Sequence, residues 1–266
     1  MNPVRLAATV ILARPHFELY LTRRSSRSPF APNAFVFPGG TIDPQDAARE
    51  SQDRTIGLDP DRLGREFRAS VSPELVCTEP AIDVGEARGL LVAAIRELFE
   101  EAGILLACTR SGSPIELRSD GWSRVAAERA RVRHGDVSFA DFLKAHDWYA
   151  DARALTLFSH WITPPSEPRR YNTHFFFAEA PRDQAAFADA VETHDGVWMS
   201  PREALERFSG GEIHLVYPTI KHLQRLAAFD SLAAAAQFAR SKPVITIMPV
   251  DVGDDFVLPG GLEAAW

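Results

Sequence analysis

The stretch Arg96-Glu97-Leu98-Phe99-Glu100-Glu101-Ala102-Gly103-Ile104 decides how the rest of the chain is read. At about 100° per residue, a helix gathers Glu97, Glu100 and Glu101 into an arc of roughly 100°. Leu91, Ile95, Leu98, Phe99 and Ala102 fall on the opposite side, where they can bury against a sheet. Gly103 stands where a helix takes its left-handed C-cap, so the spacing predicts an amphipathic helix over Gly89–Ala102. Three carboxylates at i, i+3 and i+4 repel one another and give a helix nothing by themselves. A hard divalent cation removes that repulsion, and Mg²⁺ or Mn²⁺ prefers such oxygen ligands. Glu97, Glu100 and Glu101 are therefore candidate metal ligands, with Arg96 beside Glu100 to orient it. A solvated acidic helix face is the plain alternative, and the glutamate spacing alone does not choose between the two.

Outward from this helix, Pro38-Gly39-Gly40 is a strong turn signal that stops a short aromatic strand at Phe35–Phe37. Further upstream, the apolar run Leu6–Ala13 and the alternating run Phe17–Arg23 predict a hairpin. Residues 47–88 are polar and broken by Gly57, Pro60, Gly64, Pro73 and Pro80, with one short helix predicted over Asp61–Ser70. Downstream, helices are predicted over Trp122–Arg133 and Phe139–His146, then strands over Leu155–Thr163, Thr173–Ala178 and Gly196–Ser200. Pro164–Arg170 is a loop. Pro201–Phe208, Thr219–Ala228 and Leu232–Arg240 are predicted helical, and the tail returns to strand at Val244–Met248 before a second Pro259-Gly260-Gly261 turn.

Composition narrows the function classes. The 266 residues are 45% hydrophobic and 24% charged, ordinary for a soluble globular protein. The formal net charge of −7 argues against general nucleic-acid binding, which needs a basic surface, but leaves room for a small anionic substrate held by a local cluster. No apolar run reaches the roughly 20 residues of a membrane span, and Met1–Val10 lacks the pattern of a signal peptide. Cys77 and Cys108 have no metal-type spacing around them, so a reducing cytoplasm is the expected location and both read as unreactive thiols.

The glycine turn and the acidic helix together resemble the motif of the Nudix hydrolases, Gly-x5-Glu-x7-Arg-Glu-U-x-Glu-Glu-x-Gly-U, where U is a bulky aliphatic residue. Arg96–Ile104 matches its second half throughout, and Gly40 matches its start, with Asp46 where the motif has its first glutamate. Eight residues on from Asp46 is Arg54, whereas the Arg-Glu pair begins at Arg96, an insertion of 42 residues relative to the pattern. That departure leaves the role of Asp46 open. The resemblance implies an α/β (α+β) fold, a Nudix-type α/β/α sandwich with a mixed sheet. It would be one domain over residues 1–266, with an insertion at 47–88 and a helical C-terminal extension at 201–266. The insertion has two readings: a cover over the site, or a solvent-exposed elaboration or dimer arm.

The resemblance also implies a reaction, the hydrolysis of a nucleoside diphosphate linked to another group, with Mg²⁺ or Mn²⁺ on Glu97, Glu100 and Glu101. Glu192, which precedes Trp198 by a family-like Glu-x5-Trp spacing, or Glu100 would be the general base; Glu179 is a weaker substitute. Arg23, Arg24, Arg169 and Arg170 are candidate phosphate contacts because guanidinium matches phosphate geometry, and Gly39 and Gly40 let backbone approach closely. The long insertion, together with Trp161–Pro164, Pro168–Phe176 and Gly211–Thr219, resembles the branch of peroxisomal coenzyme A diphosphatases and their bacterial relatives. Leu21-Thr22-Arg23-Arg24-Ser25 and Phe37–Gly40 also fit the ends of a coenzyme A-associated signature, whose internal glycine is here Asn33. Coenzyme A or acyl-CoA is the leading substrate, with NADH, ADP-ribose and nucleoside triphosphates as alternatives and a non-catalytic nucleotide-binding regulator as a different class. The C-terminal Glu263-Ala264-Ala265-Trp266 is no peroxisomal tripeptide, so the expected location remains cytoplasmic. The expected partner is a small-molecule nucleotide, with a homodimer possible and neither nucleic acid nor membrane expected. Phe175–Phe177 reads as sheet core, and His160, His174, His194 and His214 as packing or surface residues.

Overall fold

The computed structural model describes residues 4–28, 31–67, 82–115, 119–186, 193–253, 255–260, 262 and 266. Strand β1 (Val4–Arg14) turns through His16 and Phe17, both at positive φ, into β2 (Glu18–Arg24). The two strands pair only at their turn end, Ala13 with Leu19 and Arg14 with Glu18. Beyond that point β2 pairs with β3 (Ala34–Val36), while Ala7–Thr9 of β1 pair with β4 (Gly39–Thr41). The chain thus crosses from one side of the opening to the other at Pro38, whose carbonyl accepts from the Val10 N–H at 2.8 Å. This split brings the glycine turn to the middle of the sheet.

The chain continues through α1 (Arg49–Asp53), β5 (Thr55–Ile56), α2 (Pro60–Glu66), α3 (Val84–Ala102), β6 (Ala107–Cys108), α4 (Ser119–Arg133), α5 (Phe139–Ala145) and β7 (Tyr149–Asp151). Then come β8 (Thr156–Ile162), β9 (Arg170–Glu179), β10 (Thr193–Met199), α6 (Pro201–Ser209), β11 (His214–Leu215), α7 (Tyr217–Leu226) and α8 (Leu232–Ser241). Three two-residue strands close the chain: β12 (Thr246–Ile247), β13 (Val250–Asp251) and β14 (Phe256–Val257). The main sheet runs β11-β3-β2-β1-β9-β8-β12, with β4 added on β1 and β10 on β2. It is mixed: β1–β9, β3–β11 and β8–β12 are parallel and the other pairs antiparallel.

Alternation along the strands builds two cores. Ala8, Val10 and Leu12 of β1, with Tyr20, Phe176 and Ala178, face α3. Ile11 and Ala13, with Leu19, Leu21, Phe175 and Phe177, face α7 and α8. Helices on both faces of a mixed sheet make the α/β/α sandwich expected from the sequence. The three phenylalanines of β9 are sheet core, as expected, and each fully buried one contributes about 2 kcal/mol.

Several boundaries differ from expectation. The helix of carboxylates starts at Val84 rather than Gly89, because Asp83 and Glu86 form a capping box: each side chain accepts from the other's backbone N–H at 2.8 Å. The last residues of the 47–88 insertion are therefore the first turns of this helix. The rest of the insertion that is described also belongs to the body of the protein. Leu63 of α2 is fully buried, Phe67 packs 5.5 Å from the His174 ring and 6.2 Å from Phe176, and β5 joins β7 and β6 in a small second sheet. The predicted helix over Asp61–Ser70 is α2 as far as it is described; residues 68–81, with Pro73, Cys77 and Pro80, lie outside the described residues, as does Gly261 of the second turn. Beyond Pro201 the chain is not purely helical, since β11 and β12 extend the sheet at its two edges, and β12 is shorter than the predicted Val244–Met248. No helix among the described residues is long and apolar enough to cross a membrane.

Candidate active site

The site is built where β4 meets the last turns of α3. Gly39 and Gly40 lie flush against their neighbours. A Cβ on Gly39 would collide with the Ala8 carbonyl oxygen, and one on Gly40 would sit 2.5 Å from Glu97 Oε1. The Gly39 N–H donates to the Glu101 carboxylate at 2.9 Å, so the glycine turn is fastened to the helix through one of the predicted ligands. Gly103 closes the helix at φ 71°, its N–H donating to the Phe99 carbonyl.

Arg96 joins the two halves of the split motif. Its Nε and Nη2 donate to both oxygens of Asp46, at 2.8 and 2.9 Å, across 50 residues of sequence. The same guanidinium donates to Glu97 at 2.9 Å, to Glu100 at 3.3 Å and to the Thr41 carbonyl at 3.3 Å. Asp46 is 2% exposed and also accepts from the Asp43 N–H, so the aspartate is a buried, fully engaged anchor. The fold thus brings back into contact two positions that the 42-residue insertion separates in the sequence.

Burial and like charge set the electrostatics. Burial raises the Glu97 carboxyl to about 7; Arg96 opposes the shift, while Glu100 and Asp46 add to it. Burial works against the Arg96 charge, but the fork to Asp46 and the nearby Glu97 and Glu100 outweigh it and hold that pKa above its ordinary value. Glu100 and Glu101 are buried. Among the described residues no three acidic, histidine or cysteine side chains close on a common point in this geometry, in which Arg96 and the Gly39 amide engage the glutamates. The donor set nevertheless has the chemistry of a hard-cation site: carboxylate oxygens on consecutive turns, buried and mutually repelling.

A cleft of about 440 Å³ opens over the turn, lined by Arg5, Arg24, Gly39, Gly40, Glu97 and Glu101 among others. Of the four arginines singled out in the sequence, Arg24 lines this cleft and the other three do not. Arg23 is directed to Asp195 and Asn33, Arg169 is exposed, and Arg170 is buried with its Nε donating to the Thr163 carbonyl at 3.0 Å. Glu192 lies outside the described residues; the strand after it begins at Thr193, which pairs with Arg24. Glu179 is exposed at the far end of β9. His160 and His174 are buried and stacked at 4.1 Å, His214 is exposed, and Cys108 is a buried free thiol.

Two residues of the site escape sequence reading. Arg5 lines the cleft and reaches Thr41 Oγ1 at 3.4 Å, but nothing in the first strand marks it. Arg129 of α4 is 5% exposed and its Nε donates to the Glu100 carbonyl at 2.9 Å. It thus satisfies one of the helix's last carbonyls and places a positive charge at its negative end. In the sequence Arg129 is one of several arginines on an ordinary polar helix.

The family model described as the NUDT19 Nudix domain matches residues 3–226. The chain is 33% identical to human acyl-coenzyme A diphosphatase NUDT19 over 242 residues, covering 84% of this chain and 64% of that protein. It is 32% identical to the Gallus gallus protein of the same name over 249 residues, 85% of this chain and 65% of that one. The chain therefore spans a little under two thirds of these relatives' length. Among solved structures, a Nudix hydrolase from Alicyclobacillus acidocaldarius superposes with a TM-score of 0.64 at 26% identity, covering 92% of this chain and 99% of that one.

Proposed function

From the premise that this chain belongs to the NUDT19 branch of the Nudix hydrolase family, we propose that it hydrolyses the diphosphate linkage of coenzyme A or an acyl-CoA. The observation that carries the catalytic part is the Arg96 fork, which holds Asp46, Glu97 and Glu100 around one guanidinium beside the glycine turn. The names of the human and chicken relatives, acyl-coenzyme A diphosphatases, support the substrate. Glu97, Glu100 and Glu101 would hold the divalent cation, Mg²⁺ or Mn²⁺. When bound, such an ion neutralises pyrophosphate charge and makes water more acidic.

The chain's own residues do the rest. Arg5 and Arg24 bind phosphate oxygens from the wall of the cleft, and the bare backbone at Gly39-Gly40 lets the diphosphate lie close to the carboxylates. Arg96 fixes the rotamers of Glu97 and Glu100, so that little reorganisation remains when charge builds up. Glu192 or Glu100 accepts the proton of the attacking water. Oxygen from water joins one phosphorus, the bridging P–O bond breaks, and its electron pair leaves with the other phosphate. The products are adenosine 3′,5′-bisphosphate and (acyl-)phosphopantetheine. We also infer a reducing, cytoplasmic setting, supported by Cys108 being a buried free thiol.

A panel of coenzyme A, octanoyl-CoA, NADH, ADP-ribose and dGTP, incubated with Mg²⁺ and read by product mass, tests the proposal. The expected result is cleavage of the two coenzyme A compounds to the products named above. Intact coenzyme A beside cleaved NADH or ADP-ribose would overturn the substrate; a panel left wholly intact would favour a nucleotide-binding regulator.

A further inference from the structure

A second pocket of about 440 Å³ adjoins the carboxylate cleft and shares Thr163, Thr173, Phe175, Val216 and Pro218 with it. Its wall is largely apolar and aromatic, with Trp161, Phe208, Tyr217, Ile220 and Phe256 contributing. Its charged lining residues are Glu167 and Asp255, whereas the cleft carries two arginines, Arg5 and Arg24, beside Glu97 and Glu101. An anionic group finds two arginines to pair with in the cleft and meets acidic side chains in the pocket, so the pocket disfavours it. Trp161, 3% exposed, gives the pocket an indole wall.

Register gives the reach. Thr41, Ala7, Thr173 and Trp161 form one row of partners across β4, β1, β9 and β8. Three strand spacings separate its ends, roughly 14 Å. Pantetheine is an uncharged linear arm whose backbone of about a dozen atoms matches a four-residue extended peptide, also roughly 14 Å. It carries two amide carbonyls and ends in the sulfur that bears an acyl chain. Adenosine 3′,5′-bisphosphate, by contrast, is compact and anionic.

We propose that the pocket between β8, β9 and α7 holds the pantetheine arm and its acyl chain, while the adenosine bisphosphate end stays in the arginine-lined cleft. This rests on the acyl-CoA reading above and adds the direction in which the substrate lies. The site selects its substrate by an uncharged arm fitting an apolar, acid-rimmed pocket.

Calorimetric titration of 4′-phosphopantetheine and of adenosine 3′,5′-bisphosphate into the wild type, Ile220→Trp and Trp161→Phe tests it, with melting curves to confirm folding. Filling the pocket with Ile220→Trp is expected to weaken phosphopantetheine at least tenfold and leave adenosine 3′,5′-bisphosphate within twofold. Trp161→Phe trims the indole wall of the same pocket and should weaken phosphopantetheine selectively. Equal losses for both products, or a selective loss for adenosine 3′,5′-bisphosphate, would overturn the assignment, as would a wild type that does not bind phosphopantetheine. The two proposals fail separately. Phosphopantetheine binding with coenzyme A left uncut removes the function and keeps the pocket; cleavage of coenzyme A without discrimination by the variants does the reverse.

Discussion

The cleft over the glycine turn and the pocket beside α7 have about the same volume and share a wall, yet they are made of opposite materials. The cleft is built from charge: Glu97 and Glu101, with the exposed Arg5 and the half-buried Arg24, set over bare backbone. The pocket is built from rings and aliphatic side chains, with Glu167 and Asp255 among its lining residues. The difference teaches a division of labour. Chemistry on a pyrophosphate needs charges held in place before the reaction, while recognition of an uncharged arm needs area and few polar contacts. Substitutions in the cleft should therefore act on turnover, and substitutions in the pocket on affinity.

The largest effect is expected at the carboxylates of α3. Glu97→Gln and Glu100→Gln should each lower kcat about 100-fold or more at saturating Mg²⁺, since each removes a carboxylate from the charged centre. Their melting temperatures should stay near the wild type, because neither amide empties a core position. An unchanged kcat in both would take the helix out of the mechanism.

Asp46→Ala comes next. It leaves Arg96 buried without its bidentate partner, and breaking a buried pair costs about 3 kcal/mol. Chemical denaturation should show that loss, and steady-state kinetics a fall in kcat of about tenfold as Glu97 and Glu100 lose their common anchor. An unaffected enzyme would mean that the fork is ornament to the cleft.

Leu63→Ala tests how far the charged region depends on the insertion. Truncating this fully buried side chain should cost about 3 kcal/mol with kcat preserved in the folded enzyme. A near-neutral change would return the insertion to the role of a detachable arm.

The smallest effect is one of pH. Burial lowers His160 to about 4 and His222 to about 3, and it holds His174 well below its usual value. The unfolded chain takes up these protons near pH 6.5, while the folded one resists until much lower. Stability from these groups is complete above about pH 6.5 and is lost as pH falls toward 4. Melting temperature should decline over that window, and the decline should be shallower in a His160→Gln variant.

Much of the cleft was legible because its signals are local. The glutamate spacing, the Gly103 cap and the Pro38-Gly39-Gly40 turn each follow from short-range rules, and alternation along β1 and β9 marks both core faces. The Asp46–Arg96 pair was not legible as a contact, because the inserted residues break the spacing that would announce it. Leu63 and Phe67 sit in a stretch too polar on average to suggest core. Arg170 read as a phosphate contact because it ends an arginine-bearing loop, but the fold turns it inward to Thr163. The apolar pocket was least legible of all. Trp161, Tyr217 and Phe256 are far apart in sequence, on β8, α7 and β14, and only the folded chain sets the Tyr217 ring 6.3 Å from Trp161 and 5.9 Å from Phe256.

The most direct test of this division is a side-by-side measurement of kcat and KM for coenzyme A in Glu97→Gln and Ile220→Trp. The expected result is a kcat about 100-fold lower with little change in KM for the first, and a KM about tenfold higher with little change in kcat for the second. The reverse pattern, or the same pattern in both, would contradict the assignment of chemistry to the cleft and selection to the pocket.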